Sequence, residues 1–262
     1  MNSAEHIKEE RDFYVTARDG KDIAVRYASS KNNTTNQAVI LAHGITGRPS
    51  EYIHMYARNF FTEKGYDVYR MSFYDDADNA RKMHTTTLPL QANDMNDVVS
   101  HAKDNHDKVY VCGHSYGGAT ILFAQPKVDA LAFWDSAFDV QNFWNLFTKD
   151  TTSLDHALIN TSWRINQLFS KEMMAHAQSQ TEEDMKNLTN SIVAPSIVIT
   201  AEKDDNLESG QKIFKHLSCE KEYQEIKNAD HRFLIGDTTS FISLACKGRV
   251  VVCIFRALSA SS

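Results

Sequence analysis

A serine hydroxyl does little chemistry unless a base takes its proton and an acid orients that base. One serine in this chain stands where such a hydroxyl could be presented. The stretch Val109-Tyr-Val-Cys-Gly-His-Ser-Tyr-Gly-Gly118 reads as a strand, then Gly113-x-Ser115-x-Gly117, then a helix. Glycines on both sides suit a sharp strand-to-helix turn, whose strained backbone leaves no room for side chains. That turn would hold Ser115 Oγ at the strand tip, beside the N-terminus of the following helix. The pentapeptide alone is a weak signal, because glycine and serine are common in loops. The strand before it and the helix after it give it weight.

A nucleophile on such a turn is followed in the chain by its acid and then by its base. The apolar run 197–201 (IVITA) leads into Glu202-Lys-Asp204-Asp205, and the run 223–226 leads into Asn228-Ala-Asp230-His231. Both motifs fall just beyond a strand, on the sheet edge expected for Ser115. His231 is therefore the expected base and Asp204 the expected acid, with Asp205 and Asp135 as alternatives. Of the eleven histidines, His6, His54, His84, His101, His106, His156, His176 and His216 lie on polar segments and are expected at the surface. His43 and His114 are expected to pack within their turns. A tetrahedral oxyanion also needs two backbone N–H donors. Tyr116, next after the serine, would supply one. Ile45, in His43-Gly-Ile-Thr-Gly47 after the run 38–42, would supply the other.

Positioning these groups requires a sheet whose strands end along one edge. The runs 12–17 and 23–28 flank Asp19-Gly20, a tight-turn signal, and read as an antiparallel hairpin. Six further strand candidates follow at 38–42, 67–73, 108–113, 130–134, 196–201 and 222–226. Runs such as AVILA and IVITA barely alternate, as expected for strands covered on both faces. Helical spacing lies between them at 50–64, 90–103, 116–124 and 207–217; the first places Tyr52, Ile53, Tyr56, Ala57, Phe60 and Phe61 on one stripe. Alternation of this kind implies a mostly parallel eight-stranded sheet flanked by helices, an α/β class.

The alternation breaks between residues 138 and 191, where helix-compatible runs occur at 140–146, 155–170 and 182–190 and no strand candidate does. The expected organisation is a core formed by 1–137 and 192–262 with a small helical cap at 138–191. An insertion there would sit over the C-terminal edge of the sheet, where open α/β sheets bind ligands. Trp134, Phe138, Trp144 and Trp163 are accordingly expected to contact substrate.

The bulk properties narrow the partners. With 262 residues, 42% of them hydrophobic, the chain can bury one substantial core. A net charge of −6 and the lack of a basic block argue against nucleic acid. No run approaches the roughly 18 apolar residues that span a bilayer. Cys112, Cys219, Cys246 and Cys253 show neither metal-ligand nor redox spacing, so reduced thiols in a cytoplasmic protein are expected, with no metal and no cofactor. A monomer or homodimer is expected.

The motifs HGITG at 43–47, GHSYGG at 113–118, AEKDDNL at 201–207 and NADHRF at 228–233 make the chain resemble the α/β-hydrolase superfamily across about residues 10–235. Within it, HGITG is similar to the corresponding loop of serine aminopeptidase-like and cinnamoyl or feruloyl esterase-like carboxylesterases. The stretch Ser72-Phe-Tyr-Asp-Asp-Ala-Asp departs from the Asp-x-Arg-Gly-x-Gly-like pattern of many relatives. The resemblance implies a triad of Ser115, Asp204 and His231, an oxyanion hole at Ile45 and Tyr116, and hydrolysis of a small-molecule ester with a medium acyl or aromatic group. A thioesterase, lysophospholipase, amidase or carbon–carbon hydrolase would use the same groups. A non-catalytic binding protein of the same fold is the rival from another class. The segment after Lys247 is β-branched and Gly-broken where the resemblance implies a final amphipathic helix.

Overall fold

A computed structural model describes residues 5–147, 151–154, 157–160 and 167–235. Trp163, Cys246, Cys253 and the segment from Lys247 lie outside them. The chain opens with β1 (Ile7–Thr16) and β2 (Asp22–Ser30), paired antiparallel as the hairpin reading expects. Gly20 closes the turn at φ 82°, a left-handed conformation that suits glycine.

Then come β3 (Gln37–Ala42), α1 (Tyr52–Glu63), β4 (Asp67–Met71), α2 (Leu88–Lys103), β5 (Lys108–His114), α3 (Tyr116–Ala124) and β6 (Ala130–Trp134). The order in the sheet is β1-β2-β4-β3-β5-β6, continued by β10 (Ser196–Ala201) and β11 (Lys221–Ile226), with α7 (Leu207–His216) between those two. From β4 to β11 every pair is parallel, while β2 runs antiparallel to both its neighbours. The fold class read from the sequence is the one observed.

Period-two side-chain alternation divides each central strand between two cores. On β3, Ala38, Ile40 and Ala42 join the cluster that holds Leu88, Met95 and Ile121 from α2 and α3. Val39 and Leu41 point the other way, onto Ala57 and Phe61 of α1. Both faces are thus buried, which is why these strands read as continuous apolar runs. Each larger side chain among them, such as Ile40 or Phe61, contributes about 1.5–3 kcal/mol by leaving water.

Between β6 and β10 the expected all-helical insertion is corrected. Helices α4 (Val140–Phe147), α5 (Lys171–Ser179) and α6 (Glu182–Asn190) are present, but β7 (Thr151–Ser153), β8 (Ala157–Asn160) and β9 (Gln167–Ser170) form a three-stranded antiparallel sheet. The sequence-based helix over 155–170 therefore fails. Four-residue runs such as ALIN and QLFS are too short for periodicity to separate strand from helix. Helix starts are better marked: Ser170 caps α5 through Met173 N–H, and Thr181 with Asp184 forms a capping box on α6. Among the described residues no helix is long and apolar enough to cross a membrane.

Candidate active site

The parallel strands β3, β5, β6, β10 and β11 all end on one edge, and the chemistry-bearing residues follow those ends. Ser115 comes first after β5. Its backbone sits at φ 55° and ψ −120°, a conformation that side chains rarely tolerate. Three glycines permit it. A Cβ on Gly113 would lie 2.6 Å from Gly117 O, and one on Gly117 would lie 2.5 Å from Ala42 O. A Cβ on Gly118 would collide with Ser136. The elbow is locked from below: Ser115 N–H donates to Trp134 O, and Ala137 N–H donates to Ser115 O.

Strain of this kind costs on the order of 1–3 kcal/mol. Replacing Ser115 by glycine is expected to raise stability by about 1 kcal/mol over Ser115→Ala, because only glycine removes the Cβ that opposes positive φ. Thermal unfolding of the two variants measures this; equal melting temperatures would show that the elbow stores no strain.

His231 faces the same cavity from the loop after β11. Two carboxylates, not one, meet its ring. Asp135 Oδ2 lies 2.7 Å from His231 Nδ1, and Asp204 Oδ1 lies 3.3 Å from it. Asp135 is fully buried at the tip of β6, and its other oxygen accepts the Ala201 N–H at 3.0 Å. Asp204 is less enclosed and accepts the Asn206 N–H at 2.8 Å. The acid expected from sequence is therefore in place, but the alternative Asp135 stands closer. Asp205 lines the cavity and makes no contact with His231 among the described ion pairs.

The electrostatics follow from this arrangement. Burial disfavours the His231 imidazolium, but the hydrogen bonds and charges of Asp135 and Asp204 outweigh it and hold the ring's pKa above the ordinary imidazole range. Burial pushes Asp135 up. Burial also works against Asp204, yet the His231 contact and the Asn206 N–H bring it below its usual value. No hydrogen bond among the described residues joins Ser115 Oγ to His231; contacts of this kind commonly close only around bound substrate.

Above the serine, Gly44 is packed so tightly that a Cβ would lie 2.9 Å from Ser115 Cβ and 3.2 Å from its Oγ. The Gly44-Ile45 backbone therefore runs directly over the hydroxyl. The loop is held by His43, which is fully buried: Nδ1 meets Gly44 O at 2.7 Å and Nε2 accepts the Phe73 N–H at 3.2 Å. Burial lowers its pKa to about 4, keeping the ring neutral. Tyr116 N–H belongs to the first turn of α3, where helix donors lack intrahelical partners. Among the described residues, no hydrogen bond occupies the Ile45 N–H either.

These groups open into a cavity of about 1320 Å³ whose apolar wall includes Ile53 and Tyr56 of α1, Phe143 of α4 and Leu234. The expected aromatic contacts need correction. Trp134 points into the core beneath the sheet, packed with Leu41 and Ile199. Phe138 is 1% exposed and stacks on His216. Trp144 is fully buried, and its Nε1 donates to Tyr116 Oη at 3.1 Å. None of the three lines the cavity; Trp163 lies outside the described residues. On α4, Val140 and Trp144 share the buried stripe while Asn142 and Phe143 face the cavity, a division set by helical rotation.

Two other assignments also change. Tyr52 and Tyr56, expected on the core stripe of α1, belong to the cavity, and Tyr52 is 76% exposed. His54 and His106, expected at the surface, are buried. His106 pairs with Asp67 at 3.1 Å, so its polar sequence context concealed a structural role.

No family model matches the sequence, and neither does any curated protein sequence. Solved structures do resemble it. Est1E from Butyrivibrio proteoclasticus, with ferulic acid bound, superposes with a TM-score of 0.74 at 19% identity, over 92% of this chain and 99% of that one. The Pyrococcus furiosus esterase Pf2001 matches with a TM-score of 0.67 at 18% identity, over 95% and 92%. Dienelactone hydrolase from Anabaena variabilis matches with a TM-score of 0.62 at 14% identity, over 93% and 96%. Together with the sheet order and the elbow at Ser115, these likenesses give the chain the α/β-hydrolase fold.

Proposed function

We propose that this protein is a serine-dependent ester hydrolase working through an acyl-enzyme. The observation that carries the reading is Ser115 on a strained elbow, sharing one cavity with an imidazole that two carboxylates orient. His231 takes the Ser115 proton as Oγ bonds to the ester carbonyl carbon. The carbonyl oxygen becomes an oxyanion facing the Ile45 and Tyr116 N–H groups. The intermediate collapses, the alkoxide leaves, and His231 gives it the proton. Water then repeats the sequence, releasing the acid and restoring Ser115. Asp135 and Asp204 fix the ring so that Nε2 is available for both transfers. No step calls for a cofactor.

Tyr52, Tyr56, Ile53 and Phe143 in the cavity wall suit a medium acyl or aromatic group. The test combines labelling and turnover. A fluorophosphonate probe is expected to modify Ser115, located by peptide mass, and a panel of p-nitrophenyl esters is expected to be hydrolysed. Thioesters, amides and lysophospholipids in the same panel rank the bond type. A chain that neither labels nor turns over any of them is a binding protein, and the reading fails.

The loop over the serine gives a second measure. Gly44→Ala places a methyl against Ser115, so the Ile45 N–H must shift away from the oxyanion position. Loss of one such donor costs about 10²–10³-fold in kcat. That loss, with the fold retained by circular dichroism, is the expected result; wild-type turnover would remove Ile45 from the mechanism.

A further inference from the structure

Beside the elbow lies a group of side chains that this chemistry does not use. Glu51 precedes the first turn of α1, His54 follows three residues later, and His114 is the last residue of β5. One ligand-capable atom from each falls within 4.8 Å of the others. Sequence spacing gives no hint of this, since His114 is 60 residues from His54 and the two are brought together by the packing of α1 on the sheet.

The two imidazoles are unusual for buried polar groups. His54 is 1% exposed, and among the described residues neither ring nitrogen makes a well-formed hydrogen bond, although the Arg48 backbone is close enough to favour the protonated ring. His114 is 5% exposed; its Nε2–H donates to the His231 carbonyl at 2.8 Å, while Nδ1 has no partner among the described residues. An unsatisfied buried polar atom costs roughly 1–3 kcal/mol, so three in one place call for a reason. The His114 pattern has a specific meaning. One nitrogen is fixed as a donor to a backbone carbonyl, which leaves the lone pair of the other free to bind a ligand. Metal-ligating histidines are oriented in this way.

We propose that Glu51, His54 and His114 bind one divalent transition-metal ion of the zinc class. Two neutral imidazoles and a carboxylate are a borderline donor set that suits zinc over calcium or magnesium. Burial lowers the pKa of both rings, His114 to about 3, so both are in the unprotonated form that ligands require. The ligand atoms lie within 4.8 Å of one another, and metal–ligand bonds of about 2.0–2.2 Å to one zinc ion require them to close any remaining gap. Glu51 is the exposed member and can close the gap by rotation. The neighbouring cation Arg70 is matched by Glu10 at 2.6 Å, which limits its repulsion. Three protein ligands leave a fourth position, and Glu51 and His114 line the cavity that would supply a water to it. The ion would tie the start of α1 to the elbow.

Isothermal titration of the full chain with zinc chloride, and visible absorption of the cobalt(II)-loaded chain, test this. The expected results are one equivalent of zinc per chain, cobalt bands of a low-coordinate site, and a melting temperature raised by zinc. Glu51→Gln, which keeps the side-chain shape and changes only the donor, is expected to weaken zinc at least about tenfold, the low end for disturbing a metal site. His54→Gln is expected to abolish the cobalt bands, and Asp204→Asn to leave affinity and bands unchanged. The proposal is overturned if the unmodified chain shows no saturable binding. It is equally overturned if Glu51→Gln binds as tightly as the unmodified chain, or if Asp204→Asn removes the site, which would move the metal to Asp135, Asp204 and His231.

Discussion

Ser115→Ala is expected to lower kcat/KM for p-nitrophenyl esters by about 10⁶-fold, the scale on which serine hydrolases lose turnover without their nucleophile. The variant keeps His231, both carboxylates and the loop N–H groups, so any residual rate would come from substrate binding and oxyanion stabilisation. Alanine retains the Cβ and fills the same volume, so the fold and the cavity should be unchanged. The loss would then be chemical, not structural. A fluorophosphonate probe is expected to leave the variant unlabelled while labelling the unmodified chain. Turnover within tenfold of the unmodified chain would remove Ser115 from the mechanism, because among the described residues no other hydroxyl stands on that elbow.

The second large effect separates the two carboxylates. Asp135→Asn is expected to reduce kcat by about 10³–10⁴-fold, the scale seen when the orienting acid of a triad becomes an amide and the imidazole takes the wrong tautomer. Asp204→Asn is expected to cost at least tenfold less. The difference follows from geometry: Asp135 is fully buried, 2.7 Å from Nδ1, and pinned by the Ala201 N–H, whereas Asp204 is 3.3 Å away and less enclosed. The pH profile gives an independent readout. His231 acts as a base only when neutral, and its pKa is held above the ordinary imidazole value near 6.5. The acid limb of kcat/KM should therefore lie above that value, with activity rising as pH rises through it. Removing either carboxylate removes a stabiliser of the imidazolium, so the limb should move to lower pH in both variants. A limb that stays in place in both variants, or a larger kcat loss for Asp204→Asn, would contradict this division of labour.

Legibility from sequence differed by the range of the interaction. The elbow is written locally: Gly113, Gly117 and Gly118 are demanded by close approaches within a few residues or to the adjacent strand, so the motif and the conformation coincide. The order of Ser115, Asp204 and His231 is legible because each follows a recognisable strand, apolar before Ser115 and Asp204 and amphipathic before His231. The preference between Asp135 and Asp204 was not, since both follow strand ends and only the distance to Nδ1 separates them. The cavity wall was misread for a different reason. Aromatic residues announce burial, but whether Trp144 or Phe143 faces the cavity depends on a rotation of about 100° per residue on α4 and on where that helix is laid.

Ser115 sits on a strained turn between β5 and α3, beside residues the sequence did not bring together. By itself the sequence determined the α/β alternation, the opening hairpin, the strained turn at Ser115 and the glycine-bearing loop at Ile45, because these are set by short-range periodicity and by backbone geometry at glycine. Only the tertiary structure decided that Asp135 reaches His231, that Trp134, Phe138 and Trp144 support the site from the core, and that Glu51, His54 and His114 meet. Those facts depend on contacts between residues far apart in the chain, whose approach is fixed by strand order and helix docking and leaves no local pattern.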